Sequence, residues 1–246
     1  MNKSLSRTSY QSIWNAFLDL LFPPTCGGCE TIGSCWCATC HAKVNFLIEP
    51  LCLKCGLPSA KPSQQCSQCV KDSYSFSALR SWASFDEPLR SALHRLKYKR
   101  DRSLGGAFAL PLSDFVRALN WEVDMIVPVP LGKGRKKERG YNQVEEIASP
   151  LAERLGLQHA PRALTRAKET RTQVGLSALE RIENVKGAFQ AEPALVKGRA
   201  VLLMDDVATT GSTLSAGADA LLSAGASQIY ALTVARALPH HGLRHA

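Results

Sequence analysis

No stretch of this 246-residue chain approaches the roughly 18 consecutive apolar residues that a membrane-crossing helix needs, so no such span is predicted. Aromatic residues are scarce, with 4 Trp, 5 Tyr and 8 Phe. That scarcity weighs against a surface built mainly from base-stacking rings. Two familiar phosphate signatures are missing. Neither G-x-x-x-x-G-K-[ST] nor G-x-G-x-x-G occurs, which excludes those triphosphate and dinucleotide loops. Acidic residues are outnumbered: 21 Asp and Glu stand against 30 Lys and Arg, for a net charge of +9. A basic surface attracts polyanions such as nucleic acid, or small phosphorylated molecules, without choosing between them. Finally, no cysteine follows residue 69.

What is present starts with an amphipathic segment. In "SIWNAFLDLLFPP" the residues Ile13, Trp14, Phe17, Leu18 and Leu21 share one face at helical spacing. A secretory signal would need an unbroken apolar centre. Asn15 and Asp19 interrupt this one, and Pro23 and Pro24 close it. The segment, residues 1–25, therefore predicts a helix packed on the rest of a cytoplasmic protein.

Nine cysteines follow in short order. Eight form C-x-x-C pairs: Cys26/Cys29, Cys37/Cys40, Cys52/Cys55 and Cys66/Cys69. Two thiolates three positions apart on a tight turn can face one ion, and two such turns close a tetrahedral zinc site. The gaps of 7 and 10 residues between neighbouring pairs favour two sites: Cys26, Cys29, Cys37 and Cys40, then Cys52, Cys55, Cys66 and Cys69. An interleaved pairing stays open, as does Cys35 in place of Cys37. Four ligands per ion leave no position for substrate, so the zinc is structural. So small a cysteine-rich unit, residues 26–75, would hardly fold without it.

From residue 76 to 236 the pattern changes to strands alternating with helices, which argues for an α/β domain with a largely parallel sheet; residues 237–246 read as a tail. Predicted strands include 78–86, 123–131, 199–205 and 227–236. Predicted helices include 88–98, 106–120 with a break or kink near Pro111, 142–156 kinked at Pro150, and 211–225. Ligands in such sheets lie beyond the carboxyl ends of the strands. "VLLMDDVATTGSTL" (201–214) has that address. Its hydroxyls and the free N–H groups opening a helix suit one phosphate, without a lysine. Asp205 and Asp206 are acceptors and suit two neighbouring hydroxyls. A ribose 5-phosphate satisfies both, with its phosphate on Ala208, Thr209, Thr210, Gly211, Ser212 and Thr213. Side chains alternate along a strand, so the two carboxylates converge only if the strand stops at them.

This stretch resembles the signature of the type I phosphoribosyltransferases, which bind phosphoribosyl pyrophosphate (PRPP). The resemblance implies that "VPVPL" contributes Val129, Pro130 and Leu131 to a pyrophosphate loop. Among the basic residues that follow, it favours Arg135 and Arg139. It also implies a loop within 164–189 that closes over substrate, and Mg²⁺ bound with PRPP. With the four C-x-x-C pairs, "LKY" (96–98), "RGYNQ" (139–143) and "TQVGL…ERIENVKGAF", the chain resembles the ComF family from about residue 18 to 236. The fold so implied is a type I phosphoribosyltransferase-like domain behind a double zinc ribbon, associated with competence and DNA uptake. A rival function is a non-catalytic protein of the same machinery that uses the fold as a ligand sensor. It would hold single-stranded DNA, with "HRLKYKRDR" (94–102) as the candidate patch, or dock a helicase-like partner.

Overall fold

The computed structural model describes residues 23–59, 64–71, 74–167 and 187–238. The predicted N-terminal helix, most of the predicted closing loop and all but the first two residues of the C-terminal tail lie outside them.

Two short helices, α1 (Ala38–Ala42) and α2 (Ser67–Lys71), each carry the second C-x-x-C of a cysteine cluster or its end. The remaining elements are β1 (Ala78–Ser84), α3 (Leu89–Tyr98), α4 (Ser103–Ala118), β2 (Met125–Pro128), α5 (Lys133–Arg139), α6 (Gln143–Leu155), β3 (Gln158–His159), β4 (Leu164–Arg166), β5 (Phe189–Ala191), α7 (Pro193–Val196), β6 (Ala200–Ala208), α8 (Ser212–Ser223) and β7 (Gln228–Arg236). The main sheet has the order β1-β7-β6-β2-β3, and every pairing in it is parallel. β4 and β5 form a separate antiparallel pair.

The alternation of side chains along β6 sorts the core into two layers. Leu202 and Met204 pack with Leu93 and Leu96 of α3, Phe108 and Leu112 of α4, and Ile147 and Leu151 of α6. Val201 and Leu203 pack with Leu214, Ala218 and Leu221 of α8 and with Leu164 and Phe189. Helices thus cover both faces of the central part of the parallel sheet. α4 and α6 approach closely at Gly105, where a Cβ would lie 2.3 Å from the Glu146 carbonyl oxygen. Asn142 caps α6 by accepting from Val144 N at 3.1 Å, and Gly156 closes it with φ +68°.

Two expectations change, and one stretch with no predicted element gains one. α4 runs through Pro111 without ending. Its buried stripe of Leu104, Phe108, Leu112 and Val116 offsets the roughly 3 kcal/mol that an internal proline costs. The basic stretch 133–139 forms α5, bounded by Gly132 and by Gly140 at φ +83°. And β6 does not stop at its carboxylates: it continues to Ala208, held by the β7 register through Val207–Ala235 and Ala208–Arg236.

Candidate ligand cleft and metal centres

The carboxyl ends of β2, β6, β7 and β1 surround a cleft of about 590 Å³. Asp205, Asp206 and Ala208 line it from β6, and Thr209, Gly211, Ser212 and Thr213 from the following turn. Val129, Pro130 and Leu131 line it from the turn after β2, with Arg135 and Arg139 from α5. Residues separated widely along the chain are brought together by the parallel topology. Thr210 is absent from the lining. Its hydroxyl pairs with Ser212 Oγ at 2.8 Å, and its carbonyl accepts from Tyr74 Oη at 2.9 Å, so it shapes the turn from behind. Gly211 reaches φ +85° at the N-cap of α8, a backbone state that other residues adopt only with strain.

The continuing strand gives the two carboxylates different surroundings. Asp206 is 5% exposed. Its Oδ2 lies 2.8 Å from Lys97 Nζ of α3 and accepts from Gln143 Nε2 at 2.9 Å, while Oδ1 accepts from Val207 N at 2.7 Å. Burial works to raise its pKa, but the Lys97 ammonium wins and holds it below the usual carboxylate value. Asp205 has no ion pair among the described residues. Burial, and then the Asp206 charge, raise its pKa. Both still open onto one cleft, although on successive strand positions.

Three residues not predicted for the ribose-phosphate site, Lys97, Gln143 and Arg166, join it, and Arg139, predicted for pyrophosphate, contacts one of them. Lys97 and Gln143 hold Asp206; Arg139 donates to Gln143 Oε1 and lies over the Tyr98 ring at 5.2 Å; Arg166 reaches the cleft from β4. "LKY" and "RGYNQ" stood out as motifs, yet only the fold shows that they meet the acidic pair. Lys97, Tyr98 and Phe85 also line a neighbouring groove of about 770 Å³, whose far wall includes Gly27, Gly28 and Glu30. The patch 94–102 contributes His94, Arg95 and Lys99 to that groove.

The cysteines settle into two clusters of sequence neighbours, Cys26/Cys29/Cys37/Cys40 and Cys52/Cys55/Cys66/Cys69, with all sulfurs of each within 4.8 Å of one another. A tetrahedron with Zn–S of about 2.3 Å has edges of about 3.8 Å. The distances are 3.7 Å for Cys29–Cys37, 3.8 Å for Cys52–Cys69 and 3.7 Å for Cys55–Cys66. Backbone N–H groups point at sulfur as thiolates require: Cys37 N at Cys26 Sγ, 3.4 Å, and Cys66 N at Cys52 Sγ, 3.2 Å. The geometry fits zinc in both. Cys35 belongs to neither cluster and packs against the main core.

Fold and clusters together define the class: a double zinc ribbon followed by a phosphoribosyltransferase-type α/β domain. Family models agree, matching a double zinc ribbon domain at residues 17–70 and a phosphoribosyl transferase domain at 139–242. The chain is 36% identical over 207 residues to the DNA utilization protein YhgH of Salmonella typhimurium, covering 82% of this chain and 90% of that one. It is 33% identical over 210 residues to competence protein F of Haemophilus influenzae, with the same coverage. With competence protein ComFC of Bacillus subtilis it shares 27% over 208 residues, covering 81% and 83%. The chain belongs to the ComF family. Among the described residues no helix is long and apolar enough to cross a membrane.

Proposed function

We propose that the cleft binds PRPP with Mg²⁺ and that the chain transfers the phosphoribosyl group to an acceptor. The observation that carries this reading is the meeting of seven of the eight residues at 205–213 named for ribose phosphate with all five named for pyrophosphate, in one cleft at the carboxyl edge of the sheet. The 5-phosphate sits on the turn 208–213, where the first N–H groups of α8 and the hydroxyls of Thr209, Ser212 and Thr213 supply donors. Pyrophosphate lies against 129–131, within reach of Arg135 and Arg139.

The two carboxylates divide the work. Asp206 already accepts three hydrogen bonds and serves as a fixed wall. Asp205, without a cation partner among the described residues, is the better acceptor for a ribose hydroxyl and the carboxylate able to face a Mg²⁺-bound water. Mg²⁺, when bound, neutralises charge on the departing pyrophosphate. In the reaction the bond from the anomeric carbon to the pyrophosphate oxygen breaks, its electron pair leaving with pyrophosphate. A bond from the acceptor's nucleophile to that carbon forms. The chain's contribution is orientation and electrostatic stabilisation. Nine unpaired cysteines support a reducing cytoplasmic setting. Kinship with a DNA utilization protein and a competence protein supports service in competence or DNA utilisation.

Calorimetry with PRPP and Mg²⁺ tests the reading. Asp205→Asn should bind at least about tenfold more weakly, about 1.4 kcal/mol. Because the Asp205 carboxyl is raised to about 7, wild-type affinity should climb more steeply between pH 6 and 8 than that of the Asn variant, in which only the ligand's own phosphates ionise. Equal affinity in the two proteins at pH 8 would remove Asp205 from the site.

A further inference from the structure

Arg139 ends α5 and lines the cleft. Among the described residues it forms no ion pair, and the groups that hold it are neutral. Its Nη1 donates to Gln143 Oε1, and its guanidinium lies 5.2 Å from the centroid of the Tyr98 ring. A carboxylate stands just beyond. Gln143 turns the other end of its amide to Asp206, Nε2 donating to Oδ2 at 2.9 Å. The amide thus separates a cation from an anion, oxygen toward the one and nitrogen toward the other. That orientation is forced. A guanidinium only donates and an ionised carboxylate only accepts, so the reversed amide would make neither bond.

Arginine and carboxylate in direct contact form strong, often two-pronged pairs, and a guanidinium so engaged has few donors left for a ligand. Asp206 does not need Arg139. Its charge is answered by Lys97 Nζ at 2.8 Å, and its Oδ1 accepts from Val207 N at 2.7 Å. The amide itself is firmly placed. Gln143 is 5% exposed and opens α6, directly after the cap residue Asn142. Asn142 Nδ2 donates to the Val129 carbonyl at 3.0 Å, and Tyr141 Oη donates to the Leu96 carbonyl. The segment 139–143 is therefore pinned both to the turn after β2 and to α3, next to Lys97.

We propose that Gln143 is a positioning residue that keeps Arg139 apart from Asp206, so that the guanidinium keeps its charge and donors for a diphosphate in the cleft. The inference rests on the reading of this cleft as a pyrophosphate site. It adds that the strength of the grip is set by an uncharged side chain behind the arginine. Gln143→Glu keeps the shape and reverses the effect, because it gives Arg139 an anionic partner that competes with the ligand.

Calorimetry at pH 8 with Mg²⁺ and two probes, inorganic pyrophosphate and ribose 5-phosphate, tests this on the full chain. Gln143→Glu should bind pyrophosphate about tenfold more weakly or worse. Ribose 5-phosphate, held by the turn 208–213 and Asp205 in the same reading, should change by no more than about twofold. Gln143→Met should also weaken pyrophosphate binding, but in an Arg139→Met background it should add nothing, because the arginine it frees to pair is gone. A residue that merely supports the fold would weaken both probes alike, and its loss would add to that of Arg139→Met. Unchanged pyrophosphate affinity, equal loss of both probes, or additive losses overturns the proposal. If Gln143→Glu fails to fold, Gln143→Met alone and with Arg139→Met decides by the same criteria. A wild type that binds no pyrophosphate overturns the reading of the cleft and this inference with it; a wild type that binds, with variants that bind equally well, overturns this inference alone.

Discussion

The first zinc knuckle meets the α/β domain through side chains. A Cβ on Gly27 would lie 2.7 Å from Leu104, and one on Gly28 would lie 2.8 Å from Pro88, so glycine lets the turn lie flat on α3 and α4. Trp36 stands edge-on to Phe108 at 5.4 Å, and Cys29 remains exposed. The second knuckle meets the domain through backbone. Leu79 N of β1 donates to the Lys54 carbonyl at 2.7 Å, and Arg80 Nη1 donates to the Cys52 and Leu53 carbonyls at 3.3 and 3.1 Å. Its downstream chain continues into Tyr74, which bonds Thr210 in the phosphate turn, and Ser75, whose N–H donates to Ser215 Oγ at 3.1 Å. Nearly the same ligand geometry therefore serves two ends. One knuckle caps a pair of helices. The other is hydrogen-bonded to the edge strand β1 and, through Tyr74, braces the turn proposed to hold phosphate.

The largest break of that contrast should come from Cys55→Ser. It removes a ligand from the buried centre. We expect loss of one zinc, a stability drop of about 4 kcal/mol or more by chemical denaturation, and PRPP affinity falling with it. Next is Gly56→Ala. Gly56 has φ +67°, and a Cβ there would lie 2.5 Å from the Leu79 carbonyl oxygen. Strain and displacement of β1 should cost about 2 kcal/mol in the same denaturation experiment, with both ions retained. The smallest effect on the cleft should follow Cys29→Ser, at the exposed ligand of the first cluster: one zinc lost, PRPP affinity within about twofold of wild type. Calorimetry that found Cys29→Ser as damaging to PRPP binding as Cys55→Ser would erase the distinction between the knuckles.

Much of this could be read from local pattern. The C-x-x-C pairs declare themselves because metal ligation needs fixed short spacings. The strands at 78–84, 200–208 and 228–236 are apolar because a parallel sheet is buried on both faces. The turn 208–213 is legible because its chemistry is contiguous. What escaped is non-local. Lys97 looked like one cation in a basic patch, and nothing in its neighbourhood along the chain announces Asp206. Arg236 looked like the polar end of a strand, and nothing along β7 announces that it is 2% exposed. The extension of β6 past Asp206 depends on the register with β7, which no residue of β6 encodes alone. A break at Pro111 was over-weighted, because a local propensity was set against the packing of a buried helix face.

α3 is a party wall. Phe85 just before it, and Lys97 and Tyr98 at its end, face the cleft proposed for ribose phosphate on one side and the roomier groove beside the first knuckle on the other. Two tenants on either side would lean on the same three side chains, so neither affinity is independent of the other. Thermodynamic reciprocity makes the influence equal in both directions: whatever the occupant of the groove does to the grip on ribose phosphate, ribose phosphate does to the grip on that occupant.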